Sequence, residues 1–468
     1  MAGIPTGRVA ARSALVSLAL VTSLGCASFA RPSSPPQRPP ATGAFLSLSD
    51  IHFDPFYDPS LVPQLVKADV EEWKRIFAGS QVTAVSTYGS DVNFPLLRST
   101  LAALGSAAPQ PDFILISGDF LGHGFEQSFQ KESPDKSAAA YQAFVRKTLG
   151  FVTSRLRETF PGVPIYPALG NNDSYCGDYQ IEPAGPFLAA LQGIWRPLLG
   201  SAGGTFDETF PLGGFYSVPH PTVPRHRIVV LNSVFLSRKY KNACGSGGDP
   251  VSLQLGWLAY TLQRAALAGE TVWIVEHIPP GIDVFSTLHA TGPCQTSPVP
   301  LWQPEALSAY QQIIAAAPGT VAASFAGHTH IDDFRLFAGG GFVHGTPAVS
   351  PVYDNNPGFQ VFTYDRSSGA LSDVRTFYLD VSGAESTPWA LEYDFQQAYG
   401  QSAYNATTLQ SLQQAIVNDP AVRGLFLTYY PVYSQKGSID PQSWKAYACG
   451  IVSATPADFA SCYCPAGS

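Results

Sequence analysis

Short apolar runs recur along this chain, and each stops at a polar residue able to hold a metal. Ala44–Leu48, Phe113–Ile116, Pro164–Leu169, Thr271–Glu276 and Val321–Ala326 are four to six residues long and rich in branched or aromatic side chains. That length predicts buried strands rather than helices. His226–Asn232 and Val374–Leu379 predict two more, and Gly214–Val218 and Phe342–Tyr364 are strand-like and turn-rich. Apolar residues at helical spacing predict helices over Phe94–Leu104, Lys136–Leu156, Phe187–Leu199, Ser252–Leu267 and Pro304–Ala317. Strand, turn, helix and strand in alternation is the grammar of a layered α/β sandwich. Residues 53–90, rich in aromatics and turn formers, read as an excursion on the substrate side. Past Thr387 the pattern turns helical, over Trp389–Tyr399, Thr407–Val417, Val422–Tyr429 and Pro441–Ile451, which predicts a small C-terminal helical segment over 386–468.

The N-terminus changes the picture of where the chain works. Arg8 and Arg12 precede an apolar run from Ala14 to Leu24 and the small residues Gly25–Ser28, the layout of an export signal over 1–30. The run is short for a transmembrane helix. Cys26 after Gly25 also fits a lipoprotein cleavage site, so a lipid anchor is the alternative to simple release. A linker over 31–43, with Pro32, Pro35, Pro36, Pro39 and Pro40, leads into a catalytic domain over 44–385. The expected location is therefore secreted or periplasmic. Without Cys26 the chain keeps Cys176, Cys244, Cys294, Cys449, Cys462 and Cys464, an even set that suggests disulfides in an exported protein. One bond, from Cys449 to Cys462 or Cys464, would staple the C-terminal segment. A cysteine zinc site is the competing view, which no paired Cys-x-x-Cys spacing supports. A hydrophobic fraction of 45% with 13% charged residues fits a well-packed globular protein, expected to be a monomer. The net charge of -8 and the lack of a basic stripe exclude nucleic-acid binding by phosphate neutralisation.

The strand ends carry the candidate chemistry. Ala44–Leu48 leads to Asp50 and His52, Phe113–Ile116 to Asp119, Pro164–Leu169 to Asn171, Thr271–Glu276 to His277, and Val321–Ala326 to His328 and His330. Residues two apart on extended backbone share a side, so Asp50 and His52 are expected to face one metal together. The mixed carboxylate, imidazole and carboxamide set suits divalent zinc, iron or manganese. Asp50, His52 and His330 would hold one ion, Asn171, His277 and His328 the other, and Asp119 would bridge them. Two such ions about 3.5–4 Å apart clamp a phosphate and activate a water for in-line attack.

Asp50-x-His52, Gly118-Asp119, Gly170-Asn171, His277 and Gly327-His328-x-His330 stand in the order of the calcineurin-like metallophosphoesterases, and the chain resembles that family. It resembles the acid sphingomyelinase-like phosphodiesterases in particular, through His123, His277-Ile-Pro-Pro-Gly281 and Asn356-Pro-Gly358. The resemblance covers about residues 44–380 and implies a four-layer α/β/β/α sandwich, two divalent ions, usually zinc, and a disulfide comparable to Cys244–Cys294. It implies an exported phosphodiesterase acting on a small phosphodiester or phosphoanhydride, of nucleotide, phospholipid-headgroup or sphingomyelin type. It also implies that the ion held by Asn171, His277 and His328 lies nearest His123 and Asn172.

Two departures matter. No N-terminal saposin module precedes the first motif, which weakens any claim that lipid is extracted from membranes. Asn172 stands where the family commonly has histidine, and an amide is a poor proton donor. His123 is then the candidate acid, because imidazole titrates near neutrality, and Asn172 would hydrogen-bond a phosphate oxygen. Tyr353 and Asn356, just after the last ligand, are candidates to line the substrate cleft. Gly170-Asn-Asn-Asp173 also resembles the motif of vacuolar endopolyphosphatases, so a polyphosphatase or phosphomonoesterase on the same site is the alternative. A binding protein without turnover is the remote one.

Overall fold

The computed structural model describes Gly3 and residues 41–468, apart from positions 202, 243, 246, 247, 291, 293, 295–297, 338–340, 384–386 and 465–468. The export signal (Gly3 apart), Cys26 and the linker as far as residue 40 lie outside the described residues.

Twelve strands are found among the described residues: β1 (Thr42–Leu48), β2 (Ile114–Ile116), β3 (Ile165–Pro167), β4 (Tyr216–Pro219), β5 (His226–Val230), β6 (Thr271–Val275), β7 (Val321–Ala326), β8 (Asp333–Leu336), β9 (Phe342–Gly345), β10 (Gly358–Asp365), β11 (Leu371–Tyr378) and β12 (Ala390–Asp394). They form two sheets, in the orders β12-β11-β10-β1-β2-β3 and β4-β5-β6-β7-β9-β8. β1 begins at Thr42, so the last two residues assigned to the linker already pair with β10. β1, β2 and β3 are parallel, as are β5, β6 and β7. All five ligand-bearing turns therefore leave the carboxyl ends of parallel strands, where open α/β sheets gather their chemistry.

The sheets pack face to face through aromatic side chains. Phe45 of β1 lies 5.4 Å from Trp273 of β6 and 5.5 Å from Phe325 of β7, and Phe362 of β10 lies 5.4 Å from Phe325. Each such pair adds about 0.5–1.5 kcal/mol to the burial of its rings. Outside the second sheet, Leu255, Leu258 and Leu262 of the helix Pro250–Ala268 form a separate cluster with Val272, Ile274 and Leu307. On the first sheet's side, the helices Phe94–Ala107 and Ala138–Thr159 join the main core through Leu97, Phe144 and Val152. The fold is the expected mixed α/β sandwich of two sheets with helices outside.

Local reading failed in several places. Trp389–Tyr399 is not one helix: Ala390–Asp394 pairs antiparallel with β11 as an edge strand, and only Phe395–Tyr399 is helical. Sheet pairing there overrides a helical pattern. Residues 53–90 hold the helices Val62–Lys67 and Val70–Ala78, and Trp73 and Phe77 of the second pack on Phe151 at 5.7 and 5.4 Å. A last helix, Pro456–Tyr463, has no counterpart in the sequence reading. The helices Ala406–Asn418 and Pro420–Tyr429 bury Leu409, Leu412, Ile416 and Phe426 in the same cluster as the sheet residues Phe362 and Val374.

The disulfides meet expectation in the C-terminal staple, Cys449–Cys462, and differ from it at Cys244 and Cys294. Cys176 bonds Cys244, Cys294 bonds Cys464, and Cys449 bonds Cys462. The implied Cys244–Cys294 bond is not formed, because the loop after Asn171 brings Cys176 to Cys244 and the last helix delivers Cys464 to Cys294. No helix of the described residues is long and apolar enough to cross a membrane.

Candidate metal centre

The strands end in tight elbows that aim the donors at one point. Asp50, His52, Asp119, His328 and His330 all have positive φ, between 41° and 70°. The extended-backbone argument for Asp50 and His52 is therefore wrong in mechanism, although both side chains do reach the centre. A left-handed non-glycine residue costs about 1–3 kcal/mol and persists only where its surroundings hold it. Here backbone bonds hold it: Asp50 N–H donates to Gly118 O at 3.0 Å, His52 N–H to Asp119 O at 2.9 Å, and Val92 N–H to His52 O at 3.0 Å. The glycines before the ligands have a steric reason. A Cβ on Gly170 would strike the Asp119 carboxylate, and one on Gly327 would meet Asp50 Oδ2 at 2.7 Å.

The seven expected donors converge. His330 Nε2 lies 3.2 Å from Asp50 Oδ1 and 3.2 Å from His52 Nε2, which gathers the first half. His277 Nε2 lies 3.0 Å from Asn171 Oδ1, and the His277 and His328 rings are 5.1 Å apart, which gathers the second. Asp119 Oδ2 stands between them, 3.4 Å from His52 Nε2 and 3.3 Å from His277 Nε2. His52 and His277 donate Nδ1–H to the carbonyls of Leu121 and Ser117, at 2.9 and 2.6 Å. Those bonds fix the tautomer that turns Nε2 inward, as metal-ligating histidines require.

The electrostatics describe a cation site. Burial alone would raise the Asp50 and Asp119 carboxyls. His330 and His52 beside Asp50, and His277 and His52 beside Asp119, hold both well below the usual carboxylate range instead. Burial would lower His52 and His277, but the Asp119 and Asp50 charges push them up to about 10 and about 9. His328 goes the other way, to about 3, mainly by burial and the neighbouring His277. Protons thus hold positive charge where divalent ions would, and a divalent ion bound there would displace them. Asp50 Oδ1 is buried and faces imidazole nitrogens, His330 Nε2 at 3.2 Å and His52 Nε2 at 3.6 Å, an acceptor turned into the cluster. The donor set fits divalent metals.

Around the cluster the expectations divide. His123 does come to the site, but not beside the half that holds Asn171. Its ring stacks on His52 at 4.0 Å and lies 6.2 Å from His330. The cause is that its segment pairs with the one after His52, through the bridge Phe53–Leu121, and that Asp91 grips it. Asp91 Oδ2 accepts from His123 N–H at 2.6 Å and Oδ1 from Nδ1–H at 3.0 Å, while Ser350 Oγ donates to Oδ1 at 3.0 Å. Asn172 does not face outward: its N–H donates to Asp119 Oδ1 at 2.8 Å and its Nδ2 to Oδ2 at 3.0 Å, so it orients the Asp119 carboxylate. Tyr353 stands at the rim, 60% exposed, with its hydroxyl 3.2 Å from His123 Nε2. Asn356 is 1% exposed and does not reach the cleft; its amide bonds Tyr88 OH and the backbone of Val381 and Val432.

Sequence reasoning missed Asp91, Asp178 and Tyr179. Asn171 Nδ2 donates to Asp178 Oδ1 at 2.7 Å, and Tyr179 OH lies 3.2 Å from His328 Nε2. None belongs to a motif, and Asp91 lies 32 residues before the histidine that it holds. No local signal could have found them.

Elbows at parallel strand ends, with a carboxylate between two groups of donors, form a candidate divalent-metal centre. A family model for calcineurin-like phosphoesterases matches residues 44–332, and the chain belongs to that family. It is 28% identical over 439 residues to acid sphingomyelinase-like phosphodiesterase 3b of Mus musculus, covering 90% of both chains. It is 29% identical over 382 residues to sphingomyelinase phosphodiesterase C of Dictyostelium discoideum, covering 76% of this chain and 78% of that one. With the cyclic GMP-AMP phosphodiesterase SMPDL3A of Mus musculus the identity is 26% over 423 residues, covering 86% of both. The chain is a phosphoric ester hydrolase.

Proposed function

We propose that the chain is an exported phosphodiesterase that hydrolyses a small phosphodiester or phosphoanhydride on two divalent ions, with zinc the first choice and iron or manganese the alternatives. The observation that carries this reading is Asp119 Oδ2, within 3.4 Å of an imidazole nitrogen from each half of the donor set. When bound, the ions supply Lewis-acid clamping of the phosphate and a nucleophilic water at working pH. The protein does the rest. Asn172 holds the Asp119 carboxylate between the two donor groups, where it would be shared by the ions. Asp91 accepts from His123 Nδ1–H, so that in the imidazolium the Nε2 proton is the one passed to the leaving oxygen, which leaves the neutral Nδ1–H tautomer. Tyr353, whose hydroxyl meets that nitrogen, contacts the departing group. Residues 44–385 form the catalytic part in this reading.

Three disulfides support export, since such bonds persist in oxidising compartments. The relatives' names cover sphingomyelin-type and cyclic-dinucleotide substrates, and their shared chemistry is a phosphodiester. The test is turnover of bis-p-nitrophenyl phosphate, of p-nitrophenyl phosphate and of polyphosphate, before and after chelation. Chelator-sensitive turnover that favours the diester is expected. Preference for the monoester or for polyphosphate would overturn the phosphodiesterase assignment in favour of the phosphatase alternatives.

A further inference from the structure

Asn171 is the one donor whose chemistry reverses with a half-turn of its side chain, because a carboxamide presents either an oxygen or an NH2 group. We propose that Asp178 decides that orientation and thereby sets the affinity of the second ion position. The inference rests on the reading of Asn171 as a metal ligand in the proposed phosphodiesterase.

The geometry allows one assignment. Asn171 Nδ2 donates to Asp178 Oδ1 at 2.7 Å, and only the NH2 end can make that bond to a carboxylate, which has no proton to give. Asn171 Oδ1 is thereby turned to His277 Nε2 at 3.0 Å, into the donor cluster. The loop that carries Asp178 is fixed independently. Tyr179 N–H donates to Asn171 O at 2.9 Å, and Lys241 N–H donates to Tyr179 O at 3.0 Å. The Cys176–Cys244 bond ties the same loop to the segment after Lys241. Asp178 is thus a positioning residue. It touches the ligand on the side away from His277 and acts through it.

The experiment measures zinc binding to the full chain, by metal analysis after dialysis and by competition with a chromophoric chelator. The wild-type chain is expected to hold two ions. D178A should keep the first with unchanged affinity, which also certifies its fold, and weaken the second about 10–100-fold, the usual effect of removing a partner that orients a ligand. N171D brings two carboxylates together and should weaken the second ion as well. The combined variant N171D/D178N exchanges donor and acceptor and should recover much of that loss. D178A binding both ions with wild-type affinity, or the combined variant binding no better than N171D, would overturn the role of Asp178 alone. A wild-type chain that takes up fewer than two ions would instead overturn the two-ion reading, and this role with it.

Discussion

Asp50, His52 and His330 stand on left-handed elbows with at most 2% exposure, locked by backbone bonds between adjacent strand ends. The second half adds other supports: Asn171 opens a loop closed by a disulfide, and His328, although also on a left-handed elbow, has the Tyr179 hydroxyl 3.2 Å from its Nε2. The first half is thus made by sheet geometry, and the second couples one rigid imidazole, His277, to a tethered loop. The groups around them also differ. His123, Asp91 and Tyr353 border the first half, whereas the second is bordered by Tyr179, with Lys239 Nζ 5.0 Å over its ring. In the proposed mechanism, proton transfer by His123 and the ion position governed by Asp178 therefore fall on opposite sides of Asp119. A change on one side should leave the other side's property intact.

The largest effect should come from the residue that both halves share. Asp119→Asn removes the common charge, and its diester kcat/KM should fall by at least about 10³-fold, with the retained zinc of both positions reduced. Near-normal turnover would break the bridging assignment. His123→Ala should then separate the halves. Alkyl phosphodiesters, whose leaving oxygen needs a proton, should slow by about 10²-fold or more, and nitrophenyl esters far less. Bound zinc should stay unchanged; equal losses on both ester types would count against an acid role. Asp91→Asn is the milder version, at about 10-fold on alkyl esters, because the ring stays stacked on His52 but loses its fixed tautomer.

The smallest effect is a pH dependence of the metal-free protein. His52 and His277 bind protons more tightly folded than unfolded. The stability they contribute is fully present below the ordinary imidazole value of about 6.5 and is lost as pH rises through about 9 for His277 and about 10 for His52. Thermal unfolding of the chelated chain should therefore decline between pH 7 and 10 more steeply than that of the zinc-loaded chain. His277, in the second half, should release its proton first. Parallel melting curves across that range would contradict the picture of protons standing where metals bind.

Much of this arrangement could be read along the chain. The strand runs that deliver Asp50, Asp119, Asn171, His277 and His328 are buried and continuous, so their period and length were visible locally. The ligand residues follow those runs directly, so the metal set was visible too. The edge strand Ala390–Asp394 was not, because its state depends on β11 as a partner. Asn356 resembled a cleft residue by its position after the last ligand, yet three distant segments consume its amide.

Residue type and order alone fix which side chains can bind metal and which strand each one follows, because a buried strand and the turn at its end are encoded within a few residues. Cysteine pairing, the side of the cluster on which His123 sits, and the carboxylates that hold His123 and Asn171 in place belong to the folded chain. Asp91 and Cys244 are brought to their partners across 32 and 68 residues of sequence. A hydrogen bond or a disulfide over such a span leaves no periodic trace, and forms only once two packed sheets have set the distance between its ends.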